Sequence, residues 1–190
     1  MPGIAMPKVD ISKALTIGGW MSEDELLWLA SQARNHKYIV EFGSLHGRST
    51  RAMADNMMPN GKIWAVDPWA GDYYNEDNID IPISTYVMPY FIQNLSDRIR
   101  ENKVEPVREF SYRFKLPFQV DMVFIDGDHR YETVIKDIKK AFELLKDGGL
   151  ICGHDYNHPS WPGVKKAVDI LVDTMSPIKV EGTIWSAVKC

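Results

Sequence analysis

Short apolar runs alternate with amphipathic segments through most of this chain, and that alternation restricts the fold more than any single residue does. The runs are Tyr38–Phe42, Lys62–Val66, Val104–Phe110, Val120–Ile125 and Leu150–Gly153. Helix-period segments lie between them: Ser49–Met57, Phe91–Asn102 and Thr133–Lys146, with Val164–Met175 after the last run. Strands separated by helices imply right-handed βαβ units and a mostly parallel sheet. The predicted fold is therefore α/β, Rossmann-like and doubly wound. A seven-stranded sheet carries helices on both faces, and the tail from Ile178 to Val188 supplies two short strands around Gly182, the last antiparallel. Parallel sheets of this kind bind ligands beyond the carboxyl ends of their strands. The residues to interrogate are thus Glu41–Ser49, Asp67–Trp69, Ser111, Asp126–His129 and His154–Tyr156.

The 190 residues fit one domain with one sizeable core, and the reading is a single domain over residues 1–190. Residues 1–19, with Pro2, Gly3 and Pro7, read as an N-terminal arm. Ser22 followed by Glu25 predicts a capping box at a helix start, with Leu26, Leu27, Leu29, Ala30 and Ala33 as its apolar stripe. Asp147-Gly-Gly149 is expected to stop the helix before the fifth strand. Residues 70–90 lack a clear period and are rich in Tyr, Asp and Asn. They read as a substrate lid, where Tyr73, Tyr74 and Tyr86, with Trp69 just before it, either stack on a ring or pack the lid to the core. Trp161-Pro-Gly163 reads as a turn into a helix, with a place for Trp161 on the site's rim as the alternative.

A formal charge of −4 disfavours a broad nucleic-acid footprint. No signal-like N-terminus or membrane-length apolar run is seen, and Cys152 and Cys190 form no Cys-x-x-Cys pair, so a reducing cytoplasm is the expected location. A small-molecule acceptor is the expected partner, with neither nucleic acid nor membrane, and homo-oligomerisation is left open.

Glu41-Phe-Gly-Ser-Leu-His-Gly-Arg-Ser-Thr50 leaves a strand and enters a helix. Glycines 43 and 47 permit a tight turn and close backbone approach, and the helix N-terminus offers N–H groups to an anion. A plain glycine turn with a Ser/Thr cap uses the same residues. Leu45 stands where the middle glycine of G-x-G-x-x-G would be, so a dinucleotide is disfavoured. Asp67 ends the second strand, where α/β nucleotide folds accept ribose hydroxyls, although strand-ending aspartates also serve plain turns.

Together with Phe124-Ile-Asp-Gly-Asp-His129 and Lys146-Asp-Gly-Gly149, these segments resemble class I S-adenosylmethionine-dependent methyltransferases. The resemblance is strongest to the branch of catechol O-methyltransferase-like and macrolide-sugar O-methyltransferases, and it runs from about Trp20 to Trp185. It implies S-adenosylmethionine as cofactor. Gly43, Ser44 and Ser49 would hold the methionine part, within a cofactor-binding set that also includes Glu41, Gly47 and Asp126. Asp67 would bind the ribose, and Ser111 would lie near the adenine.

Asp126-Gly-Asp-His129 and His154-Asp-Tyr156 follow neighbouring strands, so two carboxylates and one or two imidazoles converge. Such a set suits Mg²⁺, and the resemblance matches Asp126 and Asp155 to metal positions and His129 to the general base. His154 replaces an acidic residue there, which shifts the preference toward a softer ion. The alternative is that these aspartates cap the following segments and His129 packs locally. The reaction expected is O-methylation of a small hydroxylated molecule such as a sugar. The competing readings are a nicotinamide-dependent oxidoreductase and a non-catalytic S-adenosylmethionine-binding protein. Base amino-methylation is disfavoured because no Asn/Asp-Pro-Pro-Tyr segment follows the fourth strand.

Overall fold

A computed structural model describes residues 8–70, 87–170 and 176–190. The strands are β1 (Tyr38–Phe42), β2 (Lys62–Val66), β3 (Val104–Val107), β4 (Val120–Ile125), β5 (Leu145–Gly153), β6 (Lys179–Glu181) and β7 (Ile184–Val188). The helices are α1 (Ser12–Leu15), α2 (Glu23–Ala33), α3 (Arg48–Asn56), α4 (Val87–Arg100), α5 (Tyr131–Leu144) and α6 (Pro162–Ile170). The strands form one seven-stranded sheet in the order β3-β2-β1-β4-β5-β7-β6. Neighbours from β3 to β5 run parallel, and β7 is antiparallel to both β5 and β6. The expected doubly wound sheet is thus observed.

Side-chain alternation divides the core into two layers. Ile39, Ile63, Met122 and Phe124 face α2, α3 and α4 through Leu29, Met53, Phe91 and Leu95. Val40, Val66, Val123 and Ile125 face α5 and α6 through Val134, Ile138, Val164 and Val168. A sheet buried on both faces needs apolar residues on both, and the central strands read as continuous apolar runs for that reason. Among the described residues no helix is long and apolar enough to cross a membrane.

Several boundaries differ from the sequence expectation. Part of the expected arm carries α1, and Ile11 and Ala14 join the core. α4 already includes Val87, ahead of the expected Phe91, with Pro89 in its first described turn. β3 ends at Val107 and a 3₁₀ turn over Ser111–Arg113 follows; as an edge strand it tolerates Pro106. α5 stops at Leu144, because buried Leu145 already pairs with Val120 in the sheet. Asp147-Gly-Gly149 therefore lies at a register shift inside β5 rather than at the helix stop. Most of the expected lid, including Tyr73, Tyr74 and Tyr86, lies outside the described residues.

The sheet order reverses between β1 and β4, and ligand crevices form at such switch points.

Candidate functional site

The loop leaving β1 is built around a buried acid. Glu41 is fully buried and accepts hydrogen bonds from Ser44 Oγ (2.7 Å), Ser49 Oγ (2.5 Å) and Thr50 Oγ1. Burial outweighs these bonds and pushes its carboxyl up to about 7. Gly43 adopts φ +87°, and a Cβ there would lie 2.2 Å from the Asp126 carbonyl oxygen. The loops after β1 and β4 therefore touch backbone to backbone. Gly47 adopts φ +88° as the N-cap of α3, where a Cβ would meet Leu95 at 2.3 Å.

Asp67, after β2, clasps the same loop. Its Oδ2 accepts the Ser44 and Leu45 N–H groups, each at 2.9 Å, and its Oδ1 accepts the Trp69 N–H at 2.6 Å. Burial raises its pKa against those three bonds. Trp69 is 1% exposed, donates Nε1–H to Leu45 O at 2.8 Å, and packs on Phe91. That packs it into the core, one of the two roles its sequence position allowed, while it also borders the site's cavity.

The β4 and β5 ends carry the second group. Because Ile125 pairs with Gly153, the residues that follow them, Asp126 and His154, become neighbours. His154 Nδ1 lies 3.2 Å from Asp155 Oδ2 and 3.5 Å from Asp126 Oδ1. His129 Nε2 lies 2.8 Å from the same Asp155 oxygen. Asp155 sits at φ +62°, a backbone region that non-glycine residues enter at a cost and that is enriched at functional sites. Burial alone would lower the His154 pKa, but hydrogen bonds to Asp126 and Asp155 raise it to about 11. Asp155 is held well below the usual carboxylate range: burial works upward, and His129 and His154 overcome it.

Both groups open onto one cavity of about 1190 Å³. Gly43, Ser44, Ser49, Asp67, Ser111, Asp126, His129, His154 and Asp155 line it. Glu41 and Gly47, expected to touch a cofactor, are not on that lining: Glu41 lies behind the loop and Gly47 faces α4. The Ser44 and Ser49 hydroxyls turn inward to Glu41, so what these residues offer a ligand is backbone. Ser111 donates its hydroxyl to Asp137 of α5, which also lines the cavity.

Four lining residues escaped the sequence reading or were underweighted by it. Arg48 donates Nη1–H to Ile17 O at 2.6 Å. Trp20 is 86% exposed at the cavity edge. Trp161, 42% exposed, stacks on His129 at 4.4 Å between ring centroids, which gives it the rim position that was the alternative reading. Glu25, legible only as a helix cap, reaches His154: its Oε1 lies 3.3 Å from His154 Nε2. Hydrogen bonds from Thr183 and Ser22 overcome the effect of burial and hold the Glu25 carboxyl at about 2.

Asp126, His154 and Asp155 each present one ligand atom, all within 4.8 Å of one another. His154 Nε2 is buried without a hydrogen-bond partner. Two carboxylates and one imidazole fit a divalent ion, and the nitrogen donor suits Mn²⁺ as well as Mg²⁺.

A family model described as "Methyltransferase domain" matches residues 40–156. Protein R132 of Acanthamoeba polyphaga mimivirus is 28% identical over an alignment of 148 residues that covers 75% of this chain and 64% of that protein. The chain thus spans less than two thirds of that relative's length. Among solved structures, an O-methyltransferase from Bacillus cereus in complex with S-adenosylhomocysteine superposes with a TM-score of 0.67 at 17% identity. The match covers 98% of this chain and 94% of that one. A SAM-dependent O-methyltransferase from Thermotoga maritima gives 0.68 at 14% identity, over 94% and 70% of the two chains. At these identities the likeness establishes the fold alone.

Proposed function

This chain belongs to the methyltransferase-domain family, and on that premise we propose that it is an S-adenosylmethionine-dependent O-methyltransferase acting on a small hydroxylated molecule such as a sugar. One observation carries the reading: the glycine loop with Asp67 and the Asp126–His129–His154–Asp155 cluster line the same cavity. The cofactor, when bound, supplies an electrophilic methyl group on a sulfonium. The backbone at Gly43, Ser44 and Ser49 would receive its methionine end, Asp67 its ribose, and the Ser111–Asp137 side its adenine. A divalent ion held by Asp126, His154 and Asp155 would lower the pKa of an acceptor hydroxyl.

Proton removal falls to His129. With Nε2–H donated to Asp155, its Nδ1 would be left to accept the proton that an acceptor hydroxyl gives up on methylation. Trp161 fixes the imidazole plane by stacking, and Trp20 and Trp161 offer apolar faces to a ring substrate. The protein's other contribution is alignment of the reacting atoms.

Calorimetry tests the reading. S-adenosylhomocysteine should bind, and Asp67→Ala should weaken it by roughly 10–100-fold, the value of a charge-assisted hydrogen bond. With an acceptor in hand, a chelator should abolish turnover. His129→Ala should slow turnover by about 10²–10⁴ with cofactor affinity retained. Binding of NADH but of no S-adenosyl compound would overturn the proposal.

A further inference from the structure

We infer that Glu25, on the distant helix α2, is a positioning residue that holds His154 as a metal ligand through Nδ1. The inference rests on the metal site proposed above and names a residue that site would otherwise lack. An imidazole that coordinates through one ring nitrogen must carry its proton on the other, and that proton needs an acceptor. Metal-bound histidines meet the need with an outer carboxylate or carbonyl, which also fixes the ring plane. His154 points Nδ1 at Asp126 and Asp155. Its Nε2, on the far side of the ring, is buried and has no hydrogen-bond partner, and the nearby acid is Glu25, at 3.3 Å. The ring is 9% exposed, so water does not substitute readily.

Glu25 is itself held at both oxygens. Oε2 accepts the Ser22 N–H and the Ser22 hydroxyl, each at 2.8 Å. Oε1, the atom facing His154, accepts the Thr183 hydroxyl at 2.7 Å and the Thr183 N–H at 3.2 Å. The two oxygens thus divide the work. One closes the capping box of α2, and the other ties the turn between β6 and β7 to the site. The Thr183 bonds fix Oε1 in place beside the buried imidazole. A third acid beside Asp126 and Asp155 also adds negative charge, which is tolerable when the group between them is cationic or binds a cation.

The test separates the cap from the positioning role. Mn²⁺ is titrated by calorimetry into the full chain, into Glu25→Gln and into Ser22→Ala, with S-adenosylhomocysteine binding measured on each. Glu25→Gln is expected to lose about 10–100-fold in Mn²⁺ affinity. Ser22→Ala weakens the cap but leaves Oε1 in place, and should stay within about twofold of wild type. S-adenosylhomocysteine should bind all three equally. Wild-type Mn²⁺ affinity in Glu25→Gln would overturn the role of Glu25 alone. A wild-type chain that binds S-adenosylhomocysteine but no Mn²⁺ would overturn the metal site and Glu25's role with it. If Glu25→Gln does not fold, long-range ¹H–¹⁵N correlation on the wild-type protein with Zn²⁺ decides. A proton on His154 Nε2 supports the assignment, and a proton on Nδ1 overturns it.

Discussion

At the ends of β1 and β2 acidic groups are met by neutral donors, whereas at the ends of β4 and β5 they are met by imidazoles. Glu41 accepts three hydroxyls, and Asp67 accepts three backbone N–H groups. Every one of those donors lies in the glycine loop, the first turn of α3 or the residues after β2, so this half is assembled before any ligand arrives. Around His154 the count is reversed: Glu25, Asp126 and Asp155 approach one ring, and one ring nitrogen is left without a hydrogen bond. The first half is pre-organised to cradle a ligand by shape. The second is organised around charge and is unfinished in one respect: His154 Nε2 is buried without a hydrogen-bond partner. A cofactor common to a family and a reaction step that depends on charge call for these two kinds of construction.

The backbone contact that joins the halves gives the largest expected effect. Gly43 combines a left-handed φ with a would-be Cβ inside van der Waals range of Asp126 and Gly127. Gly43→Ala adds conformational strain to overpacking, each worth about 1–3 kcal/mol, for a loss on the order of 4 kcal/mol. Urea unfolding would report it as a large drop in midpoint. A loss below about 1 kcal/mol would break the comparison, because the two loops would then be able to part and the halves could not be treated as one rigid cavity wall.

The halves should also differ in their response to pH. Burial raises the Glu41 carboxyl from its ordinary 4.5 to about 7 in the folded state. Its stabilising contribution is therefore fully present below about 4.5 and is lost as pH rises through 7. Glu25 runs the other way, with a folded value of about 2, so its contribution is present above 4.5 and is lost as pH falls through 2. Comparing wild type with Glu41→Gln isolates the first effect. Between pH 5 and pH 8 the wild type should lose roughly 2–3 kcal/mol relative to the variant. Parallel stability curves over that range would mean that the three hydroxyls keep Glu41 ionised throughout, and the neutral half would then also be organised around charge.

How much of this was legible in the sequence follows the same division. β1, β2 and β4 begin and end where their apolar runs do, because burial on both faces leaves mostly apolar residues inside them, with the hydrogen-bonded Glu41 as the buried exception. The Ser22–Glu25 capping box was legible because both partners lie within one turn. Asp126, His129, His154 and Asp155 converge as the strand order requires. What escaped depends on direction or distance. Glu25 meets Thr183 across 158 positions, and no local pattern announces such a contact. Trp69 carries the same aromatic signal whether it faces a ligand or Phe91. The α5–β5 boundary moved because a sheet pairing at Leu145 overrode the turn propensity of Asp147-Gly-Gly149.

Ser49 offers the smallest test and the sharpest one for the neutral half. Its position in a glycine turn entering a helix suggests a hydroxyl for the cofactor, and a residue with that role would lose affinity when truncated. The structure instead spends that hydroxyl on Glu41 at 2.5 Å, behind the cavity wall. Removing it takes one donor from a buried carboxyl group, a cost of about 1–2 kcal/mol in stability. The backbone that lines the cavity is untouched, so S-adenosylhomocysteine affinity should change by less than about twofold at saturating fold. Ser49→Ala is therefore expected to lower the urea midpoint modestly and leave the calorimetric binding curve in place. The opposite pattern, an unchanged midpoint with a tenfold weaker ligand, would return Ser49 to the cofactor. Glu41 would then be a ligand-responsive acid whose donors rotate away on binding, and the distinction between a finished half and an unfinished one would no longer hold.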